Sequence, residues 1–369
     1  MIKVNENSPA HWAIRGLGGA LLIAVILWVP TMDFAGIGQV NDALLIALAA
    51  MSLNLVLGYT GQISIGHSAF FGIGAYATAI LVKKYEWSPG WTFFVGAIVA
   101  FVIGTIVALP ALRIKGIYLA LVTLAIAFMF PKFVGWEKLE WLTKGQSGYD
   151  SVRYKDLPDW PLVGPFPKGQ QGRAEFQFWL SILVVAISYL VIRGVVRSRV
   201  GRSLIAVRDN ETAAAVMGVH LAQTKTLVFG VSAAICALAG SLSALRSGTV
   251  TPESPNIQVV GSVVFLVAMI IGGSATLWGP IVGGFFYFYL ERNLGDWSES
   301  GPLEFIFGWS KTSPATMIFS ILLIVLMFVA PFGVVGLLKR WSRKVVQIVP
   351  SPVVGSVDTK APVAPATAS

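Results

Sequence analysis

Apolar runs of roughly 17 to 25 residues, the length that carries a helix across a bilayer core, recur along this chain. No Asp, Glu, Lys or Arg falls in the core of any of them. In hydrocarbon every backbone N–H and C=O must be satisfied inside the protein, and a helix does this within its own segment. Ten candidate runs centre on residues 16–31, 43–57, 64–81, 91–109, 117–134, 176–192, 226–245, 258–276, 280–291 and 315–337. The ninth is short and glycine-rich turns interrupt the third, so about 8–10 transmembrane helices are expected. Composition agrees: only 12% of residues are charged, against about 25% in an ordinary globular domain. The fold class expected is therefore all-α, a polytopic helical membrane protein.

Orientation follows from Lys and Arg near the span ends, which favour the cytoplasmic side. With an inside N-terminus and ten spans, segments 1–15, 110–116, 193–225 and 338–369 are cytoplasmic; they carry fifteen basic residues and four acids, Glu6, Asp209, Glu211 and Asp358. The net charge of +9 thus reports topology, and with no soluble basic domain it does not point to nucleic acid. Residues 1–15 are expected as a cytoplasmic N-terminus, 16–337 as the transmembrane domain and 338–369 as a cytoplasmic, disordered tail. The first run leads into TMDFAGIGQ, with no small-residue cleavage site, and is expected to stay as an anchor. Residues 136–175 form the largest external loop, and residues 193–225 a cytoplasmic island.

The spans lack the usual equipment for coupling or chemistry. Ion-driven transporters commonly use buried carboxylates or histidine chains, and His67 is the one ionisable group at plausible depth. No GxxxxGK[ST], HExxH or GxSxG pattern occurs, so neither a nucleotide site nor an intramembrane enzyme is expected. The single cysteine, Cys236, lies within a span and excludes an internal disulfide or Cys cluster. No cofactor and no metal site are expected. If the chain moves a solute uphill, the energy is expected to enter from outside the chain.

Three motifs remain. In MSLNLVLGYTGQISIGHSAFFGIGAYATA, residues 51–79, the polar residues Asn54, Thr60, Gln62, Ser64, His67 and Ser68 gather with Gly58 and further glycines in the middle of a long apolar stretch. A helix can break at that depth only where protein or a water-filled cavity serves its backbone, and broken helices often line transport sites. A transport pathway and a plain glycine-packed turn both fit, and His67 fits a structural as well as a ligand role. In IIGGSATLWGPIVGGFF, residues 270–286, Gly272, Gly273, Gly279, Pro280 and Gly283 read as a tight reversal between two closely packed helices. In RDNETAAAVMG, Arg208, Asp209, Asn210 and Glu211 lead into a short helix that Asp209 or Asn210 can cap and Gly218 can end. Its small Ala213, Ala214, Val216 and Met217 suit a groove on another protein, and its flanking arginines equally suit anionic lipid.

Together these blocks resemble the permease subunits of branched-chain amino-acid ABC importers, the LivM type. The resemblance spans roughly residues 40–340. It rests on SLNLVLGYTGQISIGHSAFFGIGAYATA, LPALRIKGIYLALVTLA, GRSLIAVRDNETAAAVMG, ALAGSLSAL and GGSATLWGPIVGG in that order. It implies ATP-driven import of branched-chain or related amino acids across the bacterial inner membrane. The implied partners are a second permease subunit, a paralogue or a copy, two cytosolic ATPase subunits and an external solute-binding protein. By the same resemblance the helix before Gly218 is the coupling helix in the ATPase groove. The family's Glu-Ala-Ala pattern has Gly six positions after the Glu, whereas Glu211 stands seven before Gly218; Thr212 takes that place here. The outer loop 136–175 is the expected surface for the solute-binding protein. Two other functions fit the same architecture: a urea or short-chain amide ABC permease, and an ATP-independent channel or facilitator.

Overall fold

The structure, a computed structural model, describes residues 2–5, 16, 19–20, 23–111, 116–154, 166–167, 169–300, 333–337, 341 and 346–349. Two units are present, one made of residues 1–27 with 338–369 and the other of residues 28–337. In the first, β1 (Ile2–Asn5) pairs in parallel with β2 (Val346–Val349), Ile2 opposite Val346. Strand β2 lies within the tail expected to be disordered. Its sequence VQIV is rich in β-branched residues, which suit a pleated strand.

The second unit is helical. Helix α1 (Phe34–Leu53) starts on Asp33, whose carboxylate accepts a hydrogen bond from the Gly36 N–H at 3.0 Å. There follow α2 (His67–Lys84), α3 (Pro89–Ala111), α4 (Ile117–Val134) and α5 (Gln170–Arg197). Then come α6 (Arg199–Asp209), α7 (Glu211–Val216), α8 (Leu221–Ser247), α9 (Val259–Gly272) and α10 (Gly279–Ser300). Among the described residues four helical segments are long and apolar enough to cross a membrane, Phe34–Gly58, Gly90–Leu109, Gln170–Arg197 and Leu221–Ser247. A fifth results if α4 and the short helix after it, Glu137–Thr143, bent by 64°, form one span. Of the other expected runs, 64–81 is α2, 258–276 contains the shorter α9, and 280–291 lies in α10. Run 16–31 is described in part, and most of 315–337 lies outside the described residues.

Helices apolar all round are what a membrane bundle requires, and burial sorts them into layers. Helices α1 and α8 form the centre, with α8 packed on α2 and α3, and α1 on α5, α8, α9 and α10. Helices α3 and α5 are peripheral. On α3, Trp91, Phe94, Ile98, Val102 and Ile106 are all exposed. Their helical spacing makes one continuous apolar stripe, the surface expected to meet lipid. The α2–α8 contact needs glycine: a Cβ on Gly74 would meet the Ala237 carbonyl, and one on Gly240 the Phe71 carbonyl. Such small-residue seams replace the hydrophobic driving force that lipid removes between helices.

The described part of loop 136–175 is folded onto the bundle. Tyr149 and Val250 exchange backbone hydrogen bonds at 2.9 and 2.8 Å, and the Val152 N–H donates to the Gly248 carbonyl at 2.9 Å. Residues 155–165 of that loop lie outside the described residues.

Candidate functional site: a broken span tied to a short helix pair

The polar stretch beginning at Asn54 is a break. Helix α1 widens into a π-turn at Asn54–Gly58 and ends, residues 61–66 have no helical structure, and α2 begins at His67. Gly61 adopts φ +69, a left-handed conformation that glycine adopts without steric cost. Side chains from neighbouring helices serve the freed backbone groups. The Ile65 N–H donates to Thr123 Oγ1 on α4 at 3.0 Å, and the Ser68 N–H to Ser262 Oγ on α9 at 2.8 Å. The Gly61 and Gln62 N–H groups reach back to the Leu57 and Val56 carbonyls, and the Thr60 hydroxyl donates to the Val56 carbonyl.

Asn54 joins this break to the glycine turn. Its Nδ2 donates to the Thr276 carbonyl at 2.8 Å, and its Oδ1 accepts from the Ala275 N–H at 2.8 Å. A Cβ on Gly58 would strike that same Asn54 oxygen and the Ala275 nitrogen. In the turn, Gly272 lies against the Gly279 carbonyl and Gly283 against the Ala268 carbonyl, too close for side chains. Gly279 and Pro280 open α10, with the Gly279 N–H capped by Thr276 Oγ1 at 3.0 Å. Gly273, at φ +116, follows the last residue of α9.

His67 is fully buried between Phe70 and Phe229, and both ring nitrogens are engaged. Ser232 Oγ on α8 gives its one hydroxyl proton to the Ser52 carbonyl at 2.6 Å. Its 2.9 Å contact with His67 Nε2 therefore makes Nε2–H the donor, and Nδ1 accepts from the Ser64 hydroxyl at 3.0 Å. The Cys236 thiol donates to the His67 carbonyl at 3.2 Å. One neutral imidazole thus knots α1, the break, α2 and α8. Of the seven expected pathway residues, Asn54, Thr60, Ser64 and His67 spend side-chain hydrogen bonds on the protein. Gln62 Nε2 and Ser68 Oγ are buried with no protein partner, and Gly58 has no side chain to offer.

Between α5 and α8 the chain folds as two helices. Helix α6 buries Gly201, Leu204 and Val207 along one face, and Asn210, not Asp209, caps α7 by accepting from the Ala213 N–H at 3.0 Å. Asp209 ends α6 and pairs with its neighbour Arg208 at 3.3 Å. Gly218, at φ +85, closes α7: the Gly218 N–H reaches the Ala215 carbonyl and the Val219 N–H the Ala214 carbonyl, the paired bonds of a Schellman stop. Ala214 faces inward, Ala213 is exposed, and Val216 and Met217 are 83% and 84% exposed, the most exposed large apolar side chains described.

Two contacts tie the α6–α7 pair to the bundle, one from each helix. Glu211 accepts from Lys225 Nζ on α8 at 2.6 Å, with Lys225 only 7% exposed. Arg208 Nη1 donates to the Gly58 carbonyl at 3.2 Å, and its aliphatic stem lies against Gly61. Sequence reasoning missed Lys225, Ser232, Thr123 and Ser262. Each is a polar residue on a largely apolar helix, a visible signal, but their partners are 14 to 194 residues away.

The family described as branched-chain amino acid transport system / permease component matches residues 37–331. The high-affinity branched-chain amino acid transport system permease protein LivM of Escherichia coli is 26% identical over 295 residues, covering 76% of this chain and 68% of that one. LivM of Salmonella typhimurium matches to the same extent. The autoinducer 2 import system permease protein LsrC of an Enterobacter species is 25% identical over 304 residues, 79% of each chain. No solved structure matches the chain.

Proposed function

The chain belongs to the permease-component family of branched-chain amino acid transport systems, and from that premise we propose that it is the membrane subunit of an ATP-driven importer of branched-chain amino acids. Its partners are a second permease subunit, two cytosolic ATPase subunits and an external solute-binding protein, in the bacterial inner membrane with both termini cytoplasmic. The observation that carries this reading is the exposed, capped helix α7, paired through Glu211 to Lys225 of α8, and directly preceded by α6, whose Arg208 bonds to the broken span.

Transport follows by alternating access. ATP-driven closure of the ATPases displaces α7, gripped at Val216 and Met217. The displacement reaches the break by two routes: through Arg208 to the Gly58 carbonyl, and through the Glu211–Lys225 pair to α8, which carries Ser232 and hence His67. Asn54 passes movement of the π-turn to the 273–279 turn. The pathway residues are neutral, so a zwitterion can pass among hydroxyl, amide and backbone groups without facing a buried charge. Gln62 and Ser68, with hydrogen-bonding capacity unspent, are the proposed solute contacts, while Ser64 and His67 hold the break in shape. Relatives named for autoinducer 2 import and for ribose import support a scaffold that carries whatever solute its binding protein delivers.

The test is assembly followed by uptake. Gly218→Pro removes the positive φ that ends α7, and Val216→Asp places a charge on its exposed face. Both variants should insert normally and lose co-purification with the ATPases; normal co-purification of both refutes the coupling role. In proteoliposomes, uptake that persists without ATP at constant membrane potential identifies a facilitator instead, and a urea-selective profile identifies an amide permease.

A further inference from the structure

At one end of the bundle α1 and α5 begin and α8 ends, and there Phe34, Arg173, Leu245 and Arg246 meet Arg153 and Tyr154 of the external loop around a cavity of about 240 Å³. Because three spanning segments terminate there, the cavity lies at the level where a bilayer's polar headgroups begin.

Its charge is one-sided. Three arginines line it, Arg153, Arg173 and Arg246, and among the described residues Arg246 alone of them makes an ion pair, its Nη2 lying 3.5 Å from Asp42 Oδ2. Arg246 Nε is buried and has no hydrogen-bond partner in the protein. Among the described residues Arg153 and Arg173 make no ion pair. Arg153 lies against Gly248, which leaves its guanidinium room beside the α8 end. Tyr154 packs edge-on against Phe176 with ring centroids 4.9 Å apart. Burial holds its phenol above the ordinary range, so it remains a neutral hydrogen-bond donor. Gathering three cations around one cavity is unfavourable unless an anion joins them, and the planar N–H fork of arginine matches phosphate oxygens two at a time.

We propose that this cavity binds the phosphate group of an anionic phospholipid, held by Arg153, Arg173 and the unspent Nε–H of Arg246. At this depth the lipid phosphate is the anion the surroundings supply. The apolar rim fits a lipid: Phe34 is 42% exposed beside the charges, where the first acyl carbons would lie. The site would anchor α1, α5 and α8 to one another at the outer membrane surface, independently of how the chain transports.

The test uses the full-length protein purified in detergent and native mass spectrometry, with phosphatidylglycerol, phosphatidylcholine or inorganic phosphate added separately. Arg153 and Arg173 have exposed side chains, so Arg153→Gln and Arg173→Gln should leave folding intact, checked by size-exclusion profile and Tm. Each substitution should weaken retention of phosphatidylglycerol about fivefold, the worth of one basic residue at an anionic surface, with the double variant losing more and phosphatidylcholine unaffected. Equal retention of phosphatidylglycerol by wild type and double variant overturns the proposal. So does an equal loss of both lipids. Arginine-dependent binding of inorganic phosphate without retained lipid keeps the phosphate site and overturns its lipid source. Unchanged lipid retention with lost association of the solute-binding protein overturns it too, by assigning the arginines to protein carboxylates.

Discussion

Replacing Asn54 by Ala removes the clamp between the π-turn and the 273–279 turn. Asn54 is 2% exposed and makes two hydrogen bonds at 2.8 Å to the backbone of Ala275 and Thr276. Truncation orphans one N–H and one C=O. A buried group left without its partner costs about 1–3 kcal/mol, and these two are only half-buried, so a total of about 2–3 kcal/mol is expected at the low end of that range. The Tm shift per kcal/mol falls with chain length, to roughly 1–2 °C for a chain of this size, so the fall should be about 2–6 °C in detergent, followed by tryptophan fluorescence. Asn54→Asp should do no better, because it keeps an acceptor for Ala275 but loses the donor to Thr276 and buries a charge. Gly58→Ala breaks the same clamp from the other side, since its Cβ meets Asn54 Oδ1 and the Ala275 nitrogen. The two losses should therefore be clearly less than additive in the double variant. A Tm within about 1 °C of wild type for Asn54→Ala, or full additivity with Gly58→Ala, refutes the clamp.

Arg208→Gln should retain ATP hydrolysis by the assembled transporter while lowering the solute moved per ATP, measured in proteoliposomes; an unchanged ratio removes Arg208 from the transmission route. Ala275 sits at φ +56, where a non-glycine residue costs roughly 1–2 kcal/mol, so Ala275→Gly should raise stability by about 0.5–1 kcal/mol after the entropy cost of glycine, and a lower Tm contradicts the strain. Gly240→Ala drives a methyl into the Phe71 carbonyl, backbone against backbone, and should cost at least about 1–3 kcal/mol, seen as lost monodisperse protein after solubilisation; a normal Tm argues that α2 and α8 can separate.

Much of the site was legible before any coordinates. Glycines and small polar residues at 54–68, in the middle of an apolar stretch, announced a break, because a helix interrupted in a membrane must be repaid by polar neighbours. The Asn-Glu start and Gly218 stop of α7 announced a capped helix, because capping acts within three or four residues. The span inventory was less legible. Run 258–276 holds a 14-residue helix, since Gly272 and Gly273 end it before the apolar composition does.

The sequence by itself determined the membrane class, the break after Asn54 and the short capped helix with its apolar tip, because hydropathy, glycine and caps act over a few residues of chain. Only the tertiary structure decided that Asn210 takes the cap while Asp209 is held by Arg208, that Glu211 belongs to Lys225, that His67 spends both nitrogens on Ser64 and Ser232, and that Arg208 reaches the Gly58 carbonyl. Most of these choices are made by hydrogen bonds between groups far apart in sequence, and a buried donor takes whichever acceptor the packing of helices brings within 3 Å, which no local pattern encodes.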